Sequence, residues 1–449
     1  MNLDHNAQIN TAWLKGSLGA SFLPKQSSVN NKGYYDAIVI GAGLAGTSTA
    51  YALAEKGKRV LVIEKQNAPG SGGSGNPQGA LYNKFSTEFN IQTKYALDNL
   101  LFSQNFYQGL QERLSLQGQP DELFWSNCGL IQVAWNEKEQ KKQTELLEKN
   151  DYPEDLLRQL TPNEASEIAG IHLDHGGLFF PNSGWVAPKK LCQLLLKHPL
   201  ISTLYNTAVS SLKHDEATEL WSVYDADADL INTASNIIVC SASDAKSLRQ
   251  LSHLRTKPIR GQVSLLDADT LKETELQNLK TVLCGEGYIS PKHNGQFCFG
   301  ATFDLKSQLC DVIESDHVHN INQLTSWFNA AKSSLNSDSL PLLKGRTSLR
   351  CTSPDYIPII GKAPVYEKQI EQFAKLRHDA KHNFDCEGVY YEGLFVNIAH
   401  GSKGLSSCPL AAKFIASQVC NEAPPFTEDI LKIISPSRFV IRNLIRGKV

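Results

Sequence analysis

Tyr35-Asp36-Ala37-Ile38-Val39-Ile40-Gly41-Ala42-Gly43-Leu44-Ala45-Gly46 is the stretch whose reading decides the fold. Tyr35–Ile40 is an apolar run broken by one Asp, the pattern of a strand buried in a parallel sheet. Thr47 to Lys56 has helical periodicity, and Gly57 stands where a helix is capped. Arg59 to Ile63 reads as a second buried strand and ends in Glu64, eighteen residues after Gly46. Strand, helix and strand make a βαβ unit, and in that setting G-x-G-x-x-G is a cradle for a diphosphate. Gly41 permits the tight turn around Ala42, Gly43 lets the backbone approach the ligand, and Gly46 lets helix and strand pack closely. The helix N-terminus offers N–H groups and a positive dipole end to the phosphates. Glu64 is placed to accept from ribose hydroxyls, with Lys65 beside it as a further contact.

Working outward, composition sets bounds. The chain has 449 residues, a net charge of -2 and 41% hydrophobic residues, which supports a sizeable core and argues against a general coat for nucleic acid. Its ten cysteines form no CxxC pair, so no metal site is expected; reduced, buried thiols suit the cytoplasm. Residues 1–33 are polar, without the apolar core of a signal peptide, and read as a flexible leader. The Ala37–Ala54 run is too short and too interrupted by glycine and threonine to span a membrane, so a soluble, cytoplasmic chain is expected.

Beyond the βαβ unit the pattern is mixed. Helices are expected over residues 90–115, 188–197, 317–335 and 409–419, and strands over 128–135, 178–181, 220–223, 237–240, 260–267, 288–291, 296–303 and 394–399. This order predicts an α/β fold: a Rossmann-like nucleotide domain with an inserted antiparallel-sheet α+β substrate domain. The expected division gives the nucleotide domain residues 34–118, 181–256 and 345–449, and the substrate domain 119–180 and 257–344.

Two more loops bear on the ligand. Gly70 to Ala80 is crowded with glycine; Gly75, Gly79 and Ala80 can press backbone against a ligand, while Ser74, Asn76 and Gln78 supply hydrogen bonds. Near the C-terminus a buried strand runs into His400-Gly401-Ser402-Lys403-Gly404-Leu405 and then a helix. A helix N-terminus there suits the electron-rich end of a reduced flavin, with His400 placed to touch it. The fingerprint itself does not separate FAD from NAD.

From about Tyr35 to Val449 the chain resembles the FAD-dependent oxidase module of the bifunctional tRNA 5-methylaminomethyl-2-thiouridine biosynthesis proteins (MnmC), within the D-amino-acid oxidase and glycine oxidase superfamily. Besides the fingerprint, the resemblance rests on Gly75-Asn76-Pro77-Gln78-Gly79-Ala80-Leu81-Tyr82, Gly184-Trp185-Val186-Ala187-Pro188, Gly261-Gln262-Val263-Ser264, Leu349-Arg350-Cys351-Thr352-Ser353-Pro354 and the tail from Ser435. The chain departs from that family in three ways. The methyltransferase half of that family is not read in these 449 residues, Lys403 stands where the family often writes Arg, and Cys240–Asp244 is expected to replace a glycine-containing turn.

The resemblance implies FAD as cofactor and oxidative removal of the carboxymethyl group from 5-carboxymethylaminomethyl(-2-thio)uridine at the tRNA wobble position. Hydride leaves the methylene of a substituted glycine, and water splits the resulting imine into the aminomethyl base and glyoxylate. It also implies that Arg350 clamps the substrate carboxylate and that Tyr288 lines the pocket. Arg346 reads as a solvated neighbour. The tail carries Lys432, Arg438, Arg442, Arg446 and Lys448 with no acid after Leu431, and is expected to dock apolar residues on the core and turn cations toward phosphates. A separate methyltransferase acting on the product is an expected partner. A small-molecule amine oxidase of the glycine, sarcosine or D-amino-acid type, and a non-catalytic flavoprotein, stay open at this point.

Overall fold

The computed structural model describes Leu14 and residues 35–116, 118, 123–271, 274–335 and 337–449. The leader expected over 1–33 lies outside these, apart from Leu14, which is buried in the core. The elements that position the site are β1 (Tyr35–Ile40), α1 (Leu44–Ala54), β2 (Val60–Ile63), β3 (Lys257–Asp267), β4 (Lys344–Thr352), β5 (Tyr390–Ile398) and α2 (Gly404–Val419).

The first eight-stranded sheet is parallel at its centre. Ile201–Leu204, β2, β1, Leu230–Val239 and β5 follow one another, all parallel, because each pair is joined by a crossover rather than a hairpin. The opening unit is thus a βαβ, and α1 begins three residues earlier than its periodicity suggests. Gly46 lies inside its first turn, where a Cβ would fall 1.8 Å from Gly41 O. This helix is buried almost all round, between β1 and β2 on one side and α2 and helix Pro188–Leu195 on the other. Small residues allow that closeness, with Ala50 of α1 and Ala411 and Ala416 of α2 in the same core. The buried Thr47 and Thr49 hydroxyls donate back to Leu44 O and Ala45 O, so they meet no desolvation penalty.

The second eight-stranded sheet is antiparallel except where Leu130–Val133 pairs with Val282–Gly285. It ends in the long β3–β4 ladder, in which Ile259 pairs with Arg350, Gly261 with Ser348 and Val263 with Arg346. Alternation puts Arg346, Ser348 and Arg350 on one face and Arg260, Gln262 and Ser264 on the other, under helix Glu314–Thr325. No described helix is long and apolar enough to cross a membrane.

Candidate active site

The first part of the site is the end of β1. Gly41 has φ +104, and a Cβ there would stand 2.9 Å from Cys240 O, so only glycine fits. Ala42 N–H donates to Glu64 Oε2 at 2.6 Å, and Gln66 N–H donates to Glu64 Oε1 at 2.9 Å. Leu44 N–H, the first of α1, donates to Ser74 Oγ at 2.9 Å, while Gly43 caps the helix with no side chain of its own. The fingerprint, the acid and the glycine loop therefore meet at one helix N-terminus, although Ser74 is thirty residues from Leu44. Bare backbone, unspent N–H groups and a nearby carboxylate fit a dinucleotide there.

That loop is held from the second sheet. Arg346 Nη1 donates to Asn76 Oδ1 at 3.0 Å, and Nη2 donates to Ser71 O at 3.0 Å and to Gly72 O. A Cβ on Gly75 would lie 2.1 Å from Nη2. The expectation that Arg346 is solvated is corrected: three oxygen acceptors engage its guanidinium. Lys65 is also engaged, its ammonium 2.5 Å from Asp244 of the turn at 240–244.

The same loop reaches the second helix end. Gly79 packs on Leu405, where a Cβ would meet the Leu405 side chain at 2.8 Å, and Tyr107 Oη donates to Leu405 O at 2.5 Å. Gly79 and Ala80 open a short strand, Gly79–Leu81, paired with Gly184–Val186. Gly401 N–H donates to Cys351 O at 2.8 Å, tying the turn before α2 to the end of β4. In that turn Ala399 and Gly401 adopt left-handed backbone, Ser402 and Lys403 are exposed, and Lys403 caps the helix ahead of Gly404.

His400 is drawn inward. Asn397 Nδ2 donates to Thr49 Oγ1 at 3.0 Å, which leaves Asn397 Oδ1 facing His400 Nε2 at 2.8 Å. Nε2 therefore carries the hydrogen, and Nδ1 faces Ser407 Oγ at 2.8 Å as an acceptor. Burial lowers its pKa to about 3, so the ring is neutral. Both ring nitrogens have protein partners.

Between these helix ends and the second sheet lie Tyr288, Gln78, Cys298 and Arg350. Tyr288 Oη donates to Gln78 O at 3.2 Å and stands 3.7 Å from Cys298 Sγ. Gln78 is buried, and its Nε2 donates to Pro291 O at 3.0 Å. Burial raises the Tyr288 pKa well above the usual range, so it is a neutral phenol. Arg350 donates from Nη1 to Thr302 O at 3.0 Å, and its guanidinium lies 5.9 Å from the centre of the Phe303 ring. Desolvation lowers its pKa, yet a guanidinium keeps its charge. It has no acidic partner among the described residues, whereas Arg260 and Arg438 face Asp316 and Asp355.

The tail is only partly as expected. Phe439, Val440, Ile441 and Leu444 dock on the core. Of the cations, Arg438 and Arg442 bond Asp355, and Lys432 pairs with Glu428 and Asp429, which leaves Arg446 and Lys448 outermost.

A cradle at a β1–α1 turn, a second helix N-terminus and an uncompensated cation between them define a nucleotide-dependent redox enzyme. The family model for FAD dependent oxidoreductases matches residues 36–418, and the chain belongs to that family, with FAD as its cofactor. It is 37% identical over 413 residues to the tRNA 5-methylaminomethyl-2-thiouridine biosynthesis bifunctional protein MnmC of Chromobacterium violaceum, covering 92% of this chain and 60% of that one. The namesake of Pseudomonas fluorescens is 36% identical over 414 residues with the same coverage. The chain thus spans about three fifths of the length of these curated relatives. Among solved structures, glycine oxidase from Geobacillus kaustophilus superposes with a TM-score of 0.67 at 19% identity, covering 89% of this chain and 98% of that one. Iminodiacetate oxidase from Chelativorans gives 0.67 at 20% identity, covering 89% and 98%. These two show the shared fold.

Proposed function

We propose that this chain oxidises the CH–NH bond of the secondary amine in 5-carboxymethylaminomethyl(-2-thio)uridine at the tRNA wobble position, releasing the carboxymethyl group as glyoxylate. The observation that carries this reading is Arg350, a desolvated guanidinium with one carbonyl partner and, among the described residues, no acid, set among the loops of two helix N-termini. A buried cation without an anion is unfavourable until an anionic ligand arrives. The names of the curated relatives supply the nucleic-acid half of the substrate.

In this reading Gly41, Ala42, Gly43, Gly46 and the α1 N-terminus hold the diphosphate, and Glu64 accepts from the ribose. Ser74, Gly75, Asn76, Gln78, Gly79 and Ala80 line the flavin's path to the turn at His400–Leu405. The sheet containing β1, β2 and β5 is the FAD-binding domain and the sheet containing β3 and β4 the substrate domain, so the boundary expected at residue 345 falls instead after β4, which pairs with β3. FAD, when bound, supplies the hydride acceptor. Arg350 grips the carboxylate through its planar fork and so orients the methylene. Tyr288, neutral and already donating to Gln78, lines the pocket without serving as a base. Loss of a hydride and a proton across N–CH2 leaves an imine. Water adds to its carbon, the C–N bond breaks, and aminomethyl base and glyoxylate result. That product is the substrate for a methyltransferase, the activity expected of a partner.

The purified protein, incubated with hypomodified tRNA rich in the carboxymethylaminomethyl nucleoside, is expected to yield glyoxylate and the aminomethyl nucleoside in equal amounts by mass spectrometry. Turnover of free glycine or sarcosine with untouched tRNA would transfer the same site to small-molecule amine oxidation. Flavin that neither tRNA nor free glycine or sarcosine bleaches under anaerobic conditions would sink both.

A further inference from the structure

We infer that Gly261 is a positioning residue for the substrate clamp: its missing side chain is the seat on which the Arg350 guanidinium lies. This rests on Arg350 gripping the substrate carboxylate. In the β3–β4 ladder Arg350 pairs with Ile259 and Gly261 with Ser348, so Gly261 is the diagonal neighbour of Arg350 on the same face. A Cβ on Gly261 would fall 1.9 Å from Arg350 Nη1, 2.5 Å from Cζ and 2.7 Å from Nη2. The guanidinium therefore fills the space where a Gly261 side chain would stand. Gly261 is not among the glycines with positive φ, so the backbone admits any residue; the space is what requires glycine.

The far end of the seat is a fixed stop. Arg350 Nη1 donates to Thr302 O. Thr302 N–H donates to Gln262 O at 3.1 Å, and its Oγ1 accepts from Gln262 N–H at 2.8 Å while donating to Asp316 Oδ2 at 3.4 Å. The carbonyl that aims Arg350 is thus pinned to the residue next to Gly261. With Nη1 committed, Nε and Nη2 remain for the two oxygens of a carboxylate, which fixes the approach of the glycine unit.

The test compares Gly261→Ala, Arg350→Ala and the double variant, reading KM and kcat on the tRNA substrate and the affinity for acetate from the change in flavin absorbance. Gly261→Ala is expected to raise KM and the acetate Kd about tenfold, the size of one misplaced charge-assisted bond, with kcat and thermal midpoint little changed. The double variant should be no worse than Arg350→Ala, because the seat matters only through its occupant. Wild-type values for Gly261→Ala beside a large loss in Arg350→Ala would overturn the seat and spare the clamp. Additive losses in the double variant would do the same. An Arg350→Ala enzyme with unchanged KM and acetate affinity would overturn the clamp itself, and the seat with it. Should Gly261→Ala fail to fold, Thr302→Val decides: a severalfold rise in KM is expected, and an unchanged one overturns the proposal.

Discussion

Arg260 and Arg350 leave the same pair of strands on opposite faces and meet opposite treatment. Arg260 bonds Leu309 O, Asp311 O and Asp316, every direction of its fork answered by the chain. Arg350 has Thr302 O and the face of an aromatic ring. His400 belongs with Arg260: it is withdrawn from water and both its nitrogens are met by Asn397 and Ser407. A polar group answered by its own protein serves the architecture; one left open inside the fold is stabilised only by what binds there.

The largest effect expected from this contrast is on the closed side. Asp316→Ala strands the Arg260 charge, and the unfolding free energy should drop by about 3 kcal/mol in urea titrations. A loss below about 0.5 kcal/mol, the size of an exposed pair, would mean that Arg260 is not closed at all. On the open side the sign reverses. Arg350→Met should cut kcat/KM by about a hundredfold, as loss of a buried charged contact does, while leaving stability unchanged or raised, since no internal acid is orphaned. Destabilisation as severe as that of Asp316→Ala would erase the distinction between the two arginines.

His400 extends the closed side to pH. Its folded pKa, about 3, lies below the usual histidine value, so the unfolded chain takes up a proton that the native chain refuses. Stability from this group is complete above about pH 6.5 and is lost as pH falls toward the folded value, with a slope of up to about 1.4 kcal/mol per pH unit. His400→Asn should show a flatter decline in urea midpoint between pH 6.5 and 4 than the wild type. Parallel curves would show that the ring titrates freely.

What was readable in advance follows the same line. The βαβ opening was legible because strand, turn, helix and acid lie within one local stretch, each answering its neighbour. The α/β class followed from the mixture of parallel-type strands and helices after it. The start of α1 was missed because Gly46 packs in a helical turn and glycine reads as a turn residue. β4 was visible only through a resemblance: its cations hide an alternation whose partners are distant. Arg346 meets Asn76 across 270 positions, and Arg438 meets Asp355 across 83, so a basic tail that scanned as a phosphate surface is largely tied to its own core. The absence of an acid beside Arg350 has no signature along the chain.

The smallest effect concerns the rim of the open side. Phe303 is 51% exposed and lies over the Arg350 guanidinium, at the start of a segment whose Leu305 and Leu309 are also exposed. A cation against an aromatic face at such a site contributes roughly 0.5–1 kcal/mol, and stacking of a nucleobase on that ring adds about 1 kcal/mol or more. Phe303→Ala should therefore weaken acetate binding about twofold and raise KM for the tRNA substrate about fivefold to tenfold. The two numbers part because acetate uses only Arg350, while a base-bearing glycine uses the ring as well. Equal, small changes in both would confine Phe303 to shielding the guanidinium from water. A loss of acetate binding as large as that of Arg350→Met would place Phe303 among the supports of the fork rather than at its mouth.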